Sequence, residues 1–492
     1  MITRRSFVGT LSILPFSKYV SAFAGGAPKR VRHEASSPEG QAMLKVYARA
    51  VATMKKANEE SPLGWLFQWY THAVKAATTK TAEIRRIYTN PSDPHRALAN
   101  ETWDTCQAHF DLRDEPYFLP WHRMFVYFFE RIIAKVADDK SFALPYWNYS
   151  ASGPSHGVIP LPFRQPSDPI FASLYVSNRN APTSAAPTTP NVNQGEPIDK
   201  ADPGALDLSA LGECNYLPSG ASAGFNKNLD DTLHGNVHVD VGDPLNMGDI
   251  PWAARDPLFW MHHCNVDRLW ASWNAGGRRN PADPAFLKRE FIFADENGNR
   301  VSAKVEDFLD IAKLDYSYAY LEAIPKCPPP QFGLAPPVPT VLAVNETQVA
   351  LEKAPVRIKL QTPAGLVPFA AQIQTLPAEQ HIFLRLKNLQ ANIQPGVLYH
   401  VFLNLPANAG PDEAASHRIG FVSFFNFVQM KHQDRSDISQ RFLTFEVTRV
   451  MKDLETKGFL KDGVSVTVAP NREPVTDAKP LVGQIDLVHQ SV

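Results

Sequence analysis

The chain has 492 residues, 44% hydrophobic and 20% charged, the composition of a globular protein long enough for two or three folding units. Lys plus Arg number 49 against 50 Asp plus Glu, with no long run of one sign, which removes nucleic acid and a charged membrane surface as expected partners. Cys106, Cys214, Cys264 and Cys327 are too few and too scattered for a disulfide scaffold in a chain of this length.

In chain order, the first predicted element is an export signal. Thr3-Arg4-Arg5-Ser6-Phe7 is followed by an apolar stretch over 8–16 and by Ala22-Phe23-Ala24, the pattern of a twin-arginine signal peptide with a small-residue cleavage site. Residues 1–24 are therefore expected to direct export, with a periplasmic or secreted destination. The stretch falls well short of the roughly 20 apolar residues of a span, so no stable membrane anchor is expected.

From 25 to about 324 the pattern is helical and rich in aromatic residues. Trp65, Trp69, His72 and Ala76 fall on one helical face. Pro120 starts a helix in which His122, Phe125, Val126, Phe129, Ile132, Ile133 and Val136 form an apolar stripe. His234 and His238, four apart, stack one above the other on a helix, a spacing suited to one metal. Asp256-Pro257 opens a helix reaching about Asn274, with Phe259, His263, Val266, Trp270 and Trp273 on one face and His262 a third of a turn away.

Singly, each of these is read as readily as a hydrogen-bonded core histidine, and His234 with His238 as a solvated pair. Together they read differently. Several imidazoles buried among Trp and Phe are costly unless satisfied, and a metal centre satisfies them at once. Imidazole ligands without thiolate or carboxylate suit copper, zinc or iron and exclude magnesium and calcium.

A proline-rich stretch follows, with Pro328-Pro329-Pro330, Pro336-Pro337 and Pro339, predicting a semi-rigid linker over 325–353. Beyond it the period shortens to alternating β-branched and aromatic segments at 356–360, 381–389, 397–405, 418–427, 464–468 and 481–488. The expected fold is thus a mainly α domain over 25–324, a helical bundle holding a metal site, followed by a small antiparallel β-sandwich-like domain over 354–492.

Phe118-Leu119-Pro120-Trp121-His122-Arg123 and Asp256-Pro257-Leu258-Phe259-Trp260-Met261-His262-His263 resemble the copper A and copper B signatures of tyrosinases, catechol oxidases and molluscan haemocyanins. Pro145-Tyr146-Trp147-Asn148, Met247-Gly248 and Ala254-Arg255-Asp256-Pro257 extend the resemblance through much of the helical part. It implies two copper ions, with His72, His109 and His122 as copper A ligands and His234, His238 and His263 as copper B ligands. O2 would be the co-substrate and a small phenol the substrate. For the second copper A ligand His95, in a turn-like Asp93-Pro94-His95 setting, competes with His109. Cys106, three residues before His109, is either the family's thioether partner of that histidine or a small buried thiol.

Three positions bear on activity through the resemblance. Relatives that hydroxylate monophenols have Asn directly after the first copper B histidine and Glu a few residues before it; Gly235 and Asp230 stand in those places here. Catechol oxidation is thus expected, with monophenol hydroxylation weakened. Ile250 occupies the place of a gating Phe, implying a wider entrance. Tyr316-Ser317-Tyr318 resembles a structural Tyr-x-Tyr motif that pairs with Arg30 or Arg32, and the β part resembles the domain that covers the copper site in relatives, with Ser423-Phe424-Phe425 as the candidate plug. The alternatives are a haemocyanin-like O2 carrier, which shares the six ligands, and a di-zinc hydrolase, whose bridging carboxylates are missing.

Overall fold

Proline and aromatic residues set the long helix at the centre of the N-terminal half. In the computed structural model, which describes residues 30–106, 116–184, 186–327, 337–364, 369–377, 379–428 and 442–491, Pro120 lies in the first turn of the helix Phe118–Val136, where its missing N–H costs nothing. Against it packs the helix Leu258–Ala275, whose residues 258–273 are all buried. The expected export signal, His109 and most of the proline run lie outside the described residues.

The shorter elements depart from expectation in instructive ways. The helix Trp65–His72 ends at His72, because Ala73 turns to φ −157°; Ala76 does not continue its face. His234 closes a π-helical segment, Asp230–His234, inserted between the helices Gly224–Leu229 and Gly235–Val241. Such one-turn insertions recur at functional sites, and here the insertion rotates the chain just before the His234–His238 pair.

Two pieces of strand also occur in the helical half. Glu290–Ala294 pairs antiparallel with Arg300–Lys304, and Arg30–Arg32 pairs parallel with Tyr316–Tyr318. The second pairing delivers Arg32, rather than Arg30, to the centre of a buried ionic network. Arg32 donates to Glu130 Oε2 (2.8 Å), Asp267 Oδ2 (3.1 Å) and the Tyr318 hydroxyl (2.9 Å), and its guanidinium lies 3.6 Å from the Tyr316 ring centroid. Arg123 also donates to Asp267 and to the carbonyls of Phe308 and Leu309. Burial alone raises the Asp267 carboxyl, but Arg123 and Arg32 outweigh it and hold it below the usual carboxylate range. Since Arg123 follows His122 and Asp267 lies one helical turn after His263, this network fixes one helix against the other.

The C-terminal half forms two four-stranded antiparallel sheets. One runs Arg418–Val422, Tyr399–Leu403, Ser465–Pro470, Val356–Lys359; the other runs Phe442–Glu446, Gln380–Lys387, Gln484–Ser491, Thr340–Asn345. Their inner faces share one aliphatic core that includes Leu342, Leu384, Val401, Val466 and Leu487, the arrangement of a β-sandwich. The linker expected over 325–353 is shorter than that: Thr340–Asn345 already pairs with the last strand, since its β-branched residues take up a sheet edge directly after the prolines.

The halves are not independent. Asp202 accepts from His400 Nε2 (2.7 Å) and Asn471 Nδ2 (2.5 Å), and Gln490 Oε1 accepts from the Ala221 amide (2.6 Å). Leu398, Phe421 and Phe425 from the β half are packed into the helical core. Cys214 and Cys327, 113 residues apart, form a disulfide that ties the start of the proline stretch to the helical half.

Candidate metal centre

Five of the six histidines singled out from the sequence converge. His72, His122, His234, His238 and His263 are each no more than 1% exposed. Ring centroids lie 5.9 Å apart for His72 and His122, 4.6 Å for His234 and His238, and 5.1 and 5.7 Å from these to His263. The two sets meet where His122 stacks on His263 at 4.2 Å and 10°. His109 lies outside the described residues. His95 stands at the exposed start of the helix Pro94–Thr102 with its side chain 44% exposed, beside Asp93, and takes no part in the cluster.

The ring orientations are set by main-chain acceptors. His122 Nδ1–H donates to the Phe118 carbonyl and His238 Nδ1–H to the Met247 carbonyl, both at 2.8 Å. His234 Nδ1 lies 3.0 Å from Asp230 Oδ1 and 3.2 Å from the Asp230 carbonyl. Occupying Nδ1 in this way leaves Nε2 as the lone-pair nitrogen. The Met247 carbonyl reaches His238 because Gly242 has no side chain: a Cβ there would stand 2.1 Å from the Gly248 nitrogen.

Donor chemistry fits a metal. One ligand atom from each of His234, His238, His262 and His263 falls within a 4.8 Å cluster, and His72, Cys106 and His122 form a second such group. Nε2 of His238 and both ring nitrogens of His262 and His263 are buried without a hydrogen-bond partner, a cost that a coordinated ion removes. Burial, helped by neighbouring His234, lowers His72 to about 3; burial likewise holds His122, His238, His262 and His263 well below the ordinary imidazole range. These rings are neutral at neutral pH, the form that binds metal. Among the described residues, neither group contains a carboxylate, so nothing there bridges two zinc ions.

His262 was placed by the sequence a third of a turn from the ligand face, yet it is buried too. It stacks on His234 at 5.3 Å and 11°, lies 4.8 Å from His238 and 5.0 Å from His263, and faces Tyr149 at 5.5 Å. Its helix is buried all round, so no single face could have separated the two neighbours. Cys106 Sγ lies 3.5 Å from His122 Nε2, placing the thiol inside the first group.

Aromatic rings wall the cluster. Phe259 lies 4.2 Å from His263 and 4.9 Å from His72, and Phe118 is 4.8 Å from both His122 and His234. The last wall comes from the β half: Phe425 stacks on His238 at 4.1 Å and 10° and stands 5.6 Å from His234. Of the three residues considered as a plug, Phe425 is the one over the imidazoles, while Phe424 turns into the sandwich core against Tyr399. Ile250 is 2% exposed, at the start of the helix Ile250–Ala253. Burial raises the Asp230 carboxyl, which accepts from Asn426 Nδ2 at 2.9 Å.

Comparison with known proteins agrees with this geometry. Residues 63–276 match the common central domain of tyrosinase, 280–327 the polyphenol oxidase middle domain, and 339–490 a domain family of unknown function. The tyrosinase HcTyr1 of Hahella sp. (strain CCB-MM4) is 27% identical over 472 residues, 90% of this chain and 96% of its own. Polyphenol oxidase A1 of Vicia faba is 26% identical over 503 residues, 93% of this chain and 77% of its own. In fold, latent apple tyrosinase matches with a TM-score of 0.59 at 22% identity over 95% of this chain and 98% of that one. A functional unit of octopus hemocyanin matches with a TM-score of 0.51 at 13% identity, over 94% and 100%. The chain belongs to the tyrosinase and polyphenol oxidase family of type-3 copper proteins. It is an oxidoreductase of that family, whose chemistry is the copper-dependent oxidation of small phenols. No described helix is long and apolar enough to cross a membrane.

Proposed function

We propose that the chain oxidises o-diphenols to o-quinones with O2, and hydroxylates monophenols poorly. The observation that carries this reading is the stacking of His122 on His263, which joins two buried groups of neutral imidazoles into one pocket. His72, His109 and His122 would hold copper A, and His234, His238 and His263 copper B; when bound, the copper pair supplies the two electrons and the binding place for O2.

The chain's own residues do the rest. Main-chain carbonyls of Phe118 and Met247 fix the rings of His122 and His238. Phe118, Phe259 and Phe425 keep water from the pocket and present flat faces to an aromatic substrate. Asp230 sits against His234, but Gly235 offers no amide beside it with which to hold a proton-accepting water for a monophenol. A diphenol, already bearing its second oxygen, needs less help.

Phe425 covers His238, so the full-length chain is a closed form. Quinone formation from a catechol and from a monophenol, before and after nicking the proline stretch, tests the reading. Catechol turnover that rises on nicking is expected, with monophenol turnover much lower; a nicked, copper-loaded protein oxidising neither would overturn it. The closed pocket and the hemocyanin likeness favour O2 carriage as the second reading, and that same negative result would support it.

Export is part of the proposal. The Cys214–Cys327 disulfide supports an oxidising compartment, in keeping with a twin-arginine signal over 1–24. Replacing Arg4 and Arg5 by Lys should retain the protein in the cytoplasm; unchanged export would remove this part.

A further inference from the structure

Gly235 has no conformational reason to be glycine. Its φ of −62° and ψ of −37° are those of an ordinary helical residue, and glycine is among the poorest helix formers. What the missing side chain permits is an approach. A Cβ at 235 would lie 2.9 Å from Ser423 Oγ and 3.4 Å from Ser423 Cβ, atoms that belong to the β half. Ser423 Oγ in turn accepts the Phe425 amide at 3.1 Å, and Gln394 Nε2 donates to the Phe425 carbonyl at 3.0 Å.

One residue beyond Phe425, Asn426 is buried and spans two carboxylates of the helical half. Its Nδ2 donates to Asp230 Oδ1 (2.9 Å) and Asp231 Oδ1 (3.1 Å) and lies 3.3 Å from the Asp230 carbonyl. The other oxygen of Asp231 is held by Lys227 Nζ at 2.7 Å. Ser423 and Asn426 thus grip the same helical segment, 230–235, on either side of the residue that covers His238.

We propose that Gly235 is the seat of a latch, closed by Ser423 and Asn426, that holds Phe425 over the copper B imidazoles and sets how readily the full-length chain opens. This rests on the reading that the cluster is a phenol-oxidising centre covered by its own β half. Glycine at 235 then leaves Ser423 Oγ in the place from which it supports the Phe425 amide. A side chain there displaces Ser423 Oγ and with it the support of the Phe425 amide, while the helix that carries His234 and His238 is strengthened.

The test uses the full chain, copper-loaded, with Gly235→Ala and Asn426→Asp. Alanine fills the seat without weakening the helix, and aspartate turns a shared donor into a third carboxylate against Asp230 and Asp231. Hydrogen exchange of the peptide over 419–428 should quicken about tenfold or more in both, with the helix Phe118–Val136 protected as in the parent. Catechol turnover of the un-nicked variants should rise towards that of the nicked parent. Exchange at the parental rate in both variants overturns the latch, as does unchanged turnover while the nicked parent is active. Faster exchange with no quinone from any form, nicked parent included, leaves the latch standing and removes the proposed activity instead.

Discussion

The two imidazole groups are built in opposite ways. His234 and His238 sit on consecutive turns of one helical stretch and His263 on a fully buried partner helix. His72 is the last residue of an eight-residue helix, and His122 lies in the first turns of another. The copper B histidines are therefore positioned along continuous helical backbone, whereas the described copper A histidines stand at or near the ends of separate helices. The covering residue of the β half meets the group built on continuous helix: Phe425 stacks on His238.

The sharpest way to break that comparison is His263→Ala. His263 faces both groups, so the variant should lose copper B and all detectable quinone formation in the nicked enzyme, with metal analysis falling from two coppers per chain towards one. Retention of full activity would mean that His262, buried and stacked on His234, is the working ligand and that the assignment is reversed.

Next comes the link between the groups. Asp267→Asn leaves Arg123 and part of Arg32 buried without their countercharge, a class of change that costs about 3–5 kcal/mol. Both helices should loosen together, seen as a lowered melting temperature and parallel loss of both coppers. Loss from one group alone would show that Arg123 and Asp267 do not couple them.

A peripheral change provides the contrast. Cys327→Ser opens the disulfide to Cys214, which closes a loop of 113 residues in sequence separation; removal of such a bridge costs about 2–4 kcal/mol. Stability should fall while copper content stays at two. Copper lost along with the disulfide would tie the metal groups to the rim of the helical half.

How much of this was legible depended on the range of the interaction. Periodicity places His122 and His263 on apolar faces and pairs His234 with His238, since these patterns are written within two turns of helix. It does not place Phe425 or Asn426, whose partners lie some 190 residues away, nor the Cys214–Cys327 pairing. The π-helical turn before His234 leaves no mark in the apolar pattern, and Thr340–Asn345 escaped because its burial does not alternate. His262 shows the limit of the helical face itself: on a helix buried on every side, the side away from the ligand still lies in the core. Gly235 was read from the resemblance as a missing amide, whereas the structure gives its missing side chain a partner, Ser423.

The response of the metal-free protein to acid is the most gradual of these effects, because it is spread over several buried imidazoles and over several pH units. His72 is lowered to about 3 by burial and by His234, against about 6.5 in an unfolded chain. Between these values the unfolded chain takes up a proton that the folded chain refuses. Its contribution is therefore complete above about pH 6.5 and is lost as pH falls through that window, at about 1.4 kcal/mol per pH unit for one imidazole. His122, His238, His262 and His263 are displaced in the same direction, so the melting temperature of metal-free protein should drop steadily from about pH 7 to pH 5. Copper should delay the fall, because it binds the same neutral nitrogens and competes with the proton. A flat metal-free profile over that range would mean that the pocket takes in water and is not the dry cage that the stacked rings imply. Exchange measured in both helices along the same titration then shows whether the short helix ending at His72 opens before the buried helix carrying His263, the order that their construction predicts.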